Sequence, residues 1–83
     1  MMSNYLNWIV CRLQRLMGEY NDHRKDMMTG EASGMPAIET ALSMAEQIDT
    51  LLTEVAFYTA QGYEPAGPLP IDIVIGMTDR KLI

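Results

Sequence analysis

The stretch from 36 to 62, PAIETALSMAEQIDTLLTEVAFYTAQG, constrains this chain most. Ile38, Ala41, Ala45, Ile48, Leu52, Val55 and Thr59 recur at alternating steps of three and four, the spacing of one helical face. Leu42, Leu51, Phe57 and Tyr58 widen that stripe. Its ends are marked by Pro36, which suits a first helical turn where a missing N–H is harmless, and by Gly62, which can take the left-handed conformation that closes a helix. Tyr63 is then expected to fold back over the last turn, and Pro65 forbids resumption.

A second helical stripe precedes it. Leu6, Ile9, Leu13, Leu16, Tyr20, His23 and Met27 step in the same way, with Ser3 or Asn4 as the cap and Thr29-Gly30 as the stop. The connection TGEASGM is short, so the two helices, 4–28 and 36–61, are expected to be antiparallel neighbours. Val10 and Met17 flank the first seam on one side and Trp8 on the other, giving an apolar arc wider than one partner helix covers. The hairpin predicts the ion pairs Arg24–Glu39, Arg15 with Glu46 or Asp49, and Arg12–Glu54, each worth about 0 to 1 kcal/mol when exposed.

Size sharpens the point about width. A chain of 83 residues removes only roughly 60 to 65% of its unfolded surface from water. With 48% apolar residues, a bare hairpin cannot hide its apolar surface in one copy, so self-association into a helical bundle is expected, as a homodimer or higher oligomer. The net charge of −5 and pI near 4.5 disfavour nucleic acid and anionic membranes as partners and favour a basic protein surface. One cysteine, Cys11, excludes an internal disulfide and suits a reducing cytoplasm. No apolar run reaches the ~18 residues of a membrane span, and the first residues match a signal peptide poorly.

Beyond Gly62 the character changes. YEPAGPLP carries three prolines within six residues, and IDIVI is rich in β-branched side chains. The expectation is a helical hairpin domain over 1–63 and an extended, proline-rich C-terminal arm over 64–83 ending in a strand at 71–75. That strand has no sheet within the chain, so it must lie on the hairpin, pair with another copy or join a partner's sheet. TDRKLI reads as a short helical turn or a loose end.

Three groups of residues bear on function. Glu39, Glu46, Asp49 and Glu54 make the second helix acidic, with no Lys or Arg between Glu31 and Asp79. Tyr5, Trp8, Arg12 and Arg15 lie on one flank of the first helix, a composition found at interface hot spots and at pockets that stack a base. The same residues can instead pack in a subunit interface and pair with the second helix. Cys11 and His23, twelve residues apart on one helix, stand about 18 Å from each other, too far for a thiol and its base. Cys11 is expected to be a small buried apolar residue and His23 a half-buried one.

Glu19-Tyr20-Asn21-Asp22 and Glu46-Gln47-Ile48-Asp49 are both E-x-x-D, each placing two carboxylates on one helical face. Brought together by antiparallel pairing they suit Mg²⁺ or Mn²⁺, which take oxygen ligands. The pair, with EQIDTLLTEVAFY after it, resembles the all-α nucleotide pyrophosphohydrolases of the MazG type, whose E-x-x-E and E-x-x-D helices hold metal. Asp22 stands where that family has Glu. The resemblance implies Mg²⁺-dependent release of pyrophosphate, with Glu19, Asp22, Glu46 and Asp49 as ligands. Against it stands a solvated acidic face.

The reading adopted from sequence is a mainly α, non-catalytic protein-binding module without cofactor, acting through the acidic helical face of Glu39, Glu46, Asp49 and Glu54. Small, acidic and without a catalytic signature, it resembles phage- or mobile-element-encoded accessory proteins that inhibit a host protein. The alternatives are the Mg²⁺-dependent pyrophosphohydrolase and an oligomer that binds nucleotide through Trp8, Arg12 and Arg15.

Overall fold

Ser3 starts the first helix. Its extended backbone leaves the hydroxyl free to accept from the Leu6 N–H (3.2 Å), which satisfies one of the donors a helix start leaves bare. The computed structural model describes residues 3–83 as three helices, α1 (Asn4–Thr29), α2 (Gly34–Ala60) and α3 (Ile71–Asp79). α1 ends at Gly30 with φ 83°, where glycine alone is unstrained. α2 ends as the sequence predicts. Gly62 has φ 95°, its N–H donates to Thr59 O and the Tyr63 N–H reaches back to Tyr58 O, both at 3.1 Å, which is a Schellman closure. The Tyr63 ring then packs edge-on against Tyr58.

α1 and α2 form the expected antiparallel hairpin. Leu6, Ile9 and Leu13 on α1 and Leu52 and Val55 on α2 are fully buried, and His23 Nε2 lies 2.8 Å from Ala37 O near the loop. The molecule is elongated, 45 × 21 × 18 Å.

The C-terminal segment, 64–83, corrects the sequence reading. No strand forms at 71–75, and the chain is extended only between the end of α2 and Pro70; Ile71–Asp79 is helix α3. A lone strand on a helical hairpin would leave its N–H and C=O groups unpaired, whereas a helix satisfies its own. Period decides as well: Ile73, Gly76 and Met77, at i, i+3 and i+4, all point into the core, with Ile73 0% and Met77 1% exposed. Asp72 in the first turn complements the helix dipole, and Pro70 O accepts from the N–H groups of Ile73 and Val74. The β-branched residues had signalled burial, not strand.

The proline-rich segment is also not a free arm. It folds back across the start of α1, where the Ser3 N–H donates to Glu64 O (2.9 Å) and the Ala66 N–H donates to Asn7 Oδ1 (2.6 Å). It thereby sets α3 against α2, running antiparallel to it, with Gly76 over Leu52 and Arg80 at Asp49. A Cβ at Gly76 would meet Leu52 Cδ1 at 3.1 Å, so glycine lets the two helices approach closely. Val10, on one side of the wide apolar arc, joins Ile73 and Met77 of α3 in one buried cluster and is 8% exposed. On the other side Trp8 stays 57% exposed.

Candidate functional site

The expected inter-helix ion pairs do not form. Among the described residues the one ion pair joins Arg80 Nε to Asp49 Oδ1, between α3 and α2. Arg12 and Arg24 instead lie over aromatic rings of their own helix, Trp8 and Tyr20, each guanidinium 5.8 Å from the ring centroid. Arg12 shares a hollow with Ser43, Glu46 and Gln47, and Arg15 shares one with Glu19, Met44 and Gln47, in each case without an ion pair.

The two candidate groups from the sequence meet along one flank of the hairpin. Four open hollows adjoin there. The first, lined by Pro36, Glu39, Thr40, Ser43, Met44 and Gln47, shares Ser43 and Gln47 with the second, which adds Glu46, Thr50, Leu51 and Arg12. Arg12 also borders the third, with Arg15, Leu16 and Glu19, and the fourth, with Trp8, Cys11 and Arg15. The result is a continuous trough with Gln47 and Arg12 at its middle, acidic at the Glu39 end and aromatic at the Trp8 end. The Gln47 amide donates to Ser43 O and Oγ one turn back on its own helix.

At the aromatic end Tyr5 and Trp8 stack, 6.1 Å between centroids and 17° between planes. Tyr58 meets Tyr5 edge-on at 5.6 Å, and Phe57 meets Tyr58 at 5.5 Å. Glu54 lies half-buried in this region, and its carboxylate, more than desolvation or Tyr58, raises the pKa of the Tyr5 phenol. Tyr5, Trp8 and Phe57 remain 48%, 57% and 56% exposed.

Other expected site residues go elsewhere. Asp49 lies outside the trough, on the flank where α3 sits, bound by Arg80. Glu19, Asp22, Glu46 and Asp49 do not converge: among the described residues no three His, Cys, Asp or Glu side chains are placed to hold a metal ion. Cys11 is exposed and borders the trough, not buried as expected, because it falls outside the seam of α1. The sequence reading missed Asn7, Gly76 and Arg80, which position α3. The signal for Gly76 and Arg80 was the i, i+3, i+4, i+7 pattern of 73, 76, 77 and 80, hidden under the β-branched composition.

Comparison with known protein families, with curated proteins and with solved structures finds no match to this chain. The residues and their geometry therefore carry the functional argument.

Among the described residues, no helix is long and apolar enough to cross a membrane.

Proposed function

We propose that this chain is a non-catalytic protein-binding module that seats a segment of a basic partner protein in the trough between α1 and α2. The observation behind this reading is the continuity of that trough, which sets Glu39 and Glu46 in line with Arg12, Arg15 and Trp8. A flat, half-exposed indole backed by Tyr5 is a low-entropy anchor, and aromatic and arginine side chains dominate binding energy where they are desolvated. Glu39 and Glu46 supply the complement to basic side chains, and the net charge of −5 steers such a partner in. Glu54 supports Tyr5 and so acts at the aromatic end. Occupying a basic surface in this way would block it, which is the action of an inhibitor, and an exposed Cys11 thiol suits a reducing cytoplasm.

The test is capture from a bacterial lysate on the immobilised chain, run beside the Glu39→Lys/Glu46→Lys double variant, Trp8→Ala and Asp49→Ala. The reading expects a basic protein held by the native chain and by Asp49→Ala, released by salt, and lost from the other two. Retention by all four, or by none, sinks it.

The Tyr5–Trp8–Arg12 stack favours a second reading, a nucleotide whose base lies on Trp8 and whose phosphates reach Arg12 and Arg15. It expects a thermal shift with nucleotides that needs no divalent metal and disappears in Trp8→Ala/Arg12→Ala.

A further inference from the structure

One stripe of α2 is used twice. Ile38, Leu42, Ala45, Asp49, Leu52 and Ala56 follow one another at steps of four, three, four, three and four, so they form a single line along the helix. Over its second half α3 sits on that line: Arg80 binds Asp49, Gly76 lies against Leu52, and Ala56 is buried. Over its first half nothing among the described residues covers it. Leu42 is 65% and Ile38 43% exposed, and Met28 and Met35 at the loop are 84% and 63% exposed. The open stretch, residues 34–45, is roughly 17 Å long at 1.5 Å per residue.

We infer that this open half-groove is the self-association face of the protein, filled by the same half-groove of a second copy in an antiparallel two-fold arrangement. The face lies on the α3 flank, so the inference does not rest on the binding trough proposed above. Three observations select the occupant and its orientation. The surface continues the line of α2 on which α3 sits, so a helix laid on it extends a packing the chain already uses. α3 projects from the far half of the same flank, so two copies laid with their loops at the same end would collide through their α3 helices. With the loops at opposite ends, each open half receives the other and its loop abuts the end of the partner's α3. That abutment joins unlike charges: the loop carries Glu31, exposed, and α3 is followed by Lys81, also exposed.

In this arrangement Ile38 lies opposite the partner's Leu42 and Leu42 opposite the partner's Ile38, the self-complementary pairing a two-fold axis demands. Two helical stretches of this length bury less than the roughly 800 Å² per partner of a stable complex, so the dimer is a reversible one that dissociates on dilution.

Sedimentation of the native chain from about 1 μM to 1 mM tests it, a window that spans the affinities of such weak contacts. The expected result is a monomer–dimer equilibrium that Leu42→Glu abolishes. Its melting curve should stay unchanged, because that side chain is already 65% exposed. Glu31→Lys and Lys81→Glu each weaken the dimer by roughly three- to tenfold, and combining them restores it. A native chain that stays monomeric throughout would overturn the inference and leave the face to a different occupant. So would a dimer that survives Leu42→Glu, or one lost instead in Trp8→Ala, which lies on the opposite flank.

Discussion

The two halves of the α1–α2 hairpin are written in the same pattern and end in different states. At the open end Leu6, Ile9, Leu13, Leu52 and Val55 are fully buried, together with Ile73 and Met77 of α3. At the loop end the seam residues Leu16, Tyr20, His23 and Met27 are only half-buried, and Ala37 is the buried apolar residue of that region. The difference is the third helix. Two helices can shield one line of contact from each other, whereas three enclose a core. Nine residues of α3 thus convert one half of a two-sided hairpin into a closed interior.

This contrast can be broken at several points. The largest effect is expected in the closed half. Leu52→Ala removes a fully buried side chain shared by all three helices and should cost about 2 to 5 kcal/mol, read from denaturant unfolding. Leu42→Ala, further back along α2 on the same stripe and 65% exposed, should stay within about 0.5 kcal/mol of the native chain. Equal effects would mean that the loop half is as well packed as the open half. Native-state hydrogen exchange offers the same test without mutation: amides in 48–56 should open only with global unfolding, and those in the first turns of α2 by local fraying.

Glycine to alanine gives a pair of opposite sign. At Gly76 the new methyl would press on the buried Leu52, an overpacking of about 1 to 3 kcal/mol that outweighs the ~1 kcal/mol alanine gains in a helix. At Gly18, mid-helix and with nothing within 4 Å of its Cβ position, alanine should stabilise by about 0.5 to 1 kcal/mol. Thermal melts of the two variants shifting in the same direction would remove Gly76 from its role in seating α3.

Smaller still is the Asp49–Arg80 pair. Both side chains are substantially exposed, 59% and 39%, so Asp49→Asn should cost under about 1 kcal/mol and the loss should fade in high salt. The smallest effect lies at the aromatic end of the trough. The Tyr5 phenol has a raised pKa in the folded chain, chiefly through Glu54. The folded protein therefore keeps that proton to higher pH than the unfolded one. This contribution is intact below the ordinary tyrosine range and declines as pH rises through the folded value. Phenolate absorbance should show one phenol, absent in Tyr5→Phe, whose titration moves to lower pH in Glu54→Gln.

Much of the fold was legible because its signals are local. The steps of three and four in α1 and α2, the Ser3 cap, the stops at Gly30 and Gly62, and the fold-back of Tyr63 each depend on residues within a few positions of one another. The trough was legible only in pieces: Trp8, Arg12 and Arg15 on one helix and Glu39 and Glu46 on the other were identified separately, and only the packing of the two helices decided that they line one channel without forming ion pairs. The segment from 71 to 79 was misread because β-branched composition reports on burial, and only its surroundings say whether a buried segment has a sheet to join.

The sequence by itself thus determined two amphipathic helices, their antiparallel order and the acidity of the second. Tertiary structure alone decided that the last helix closes one end of the hairpin, that Arg80 takes Asp49 away from the acidic face, and that the loop end stays open. The physical reason is that helical period and capping are set by neighbours in the chain. The choice between strand and helix, or between one acid and another for a given arginine, is settled by which surfaces the folded chain leaves without a partner.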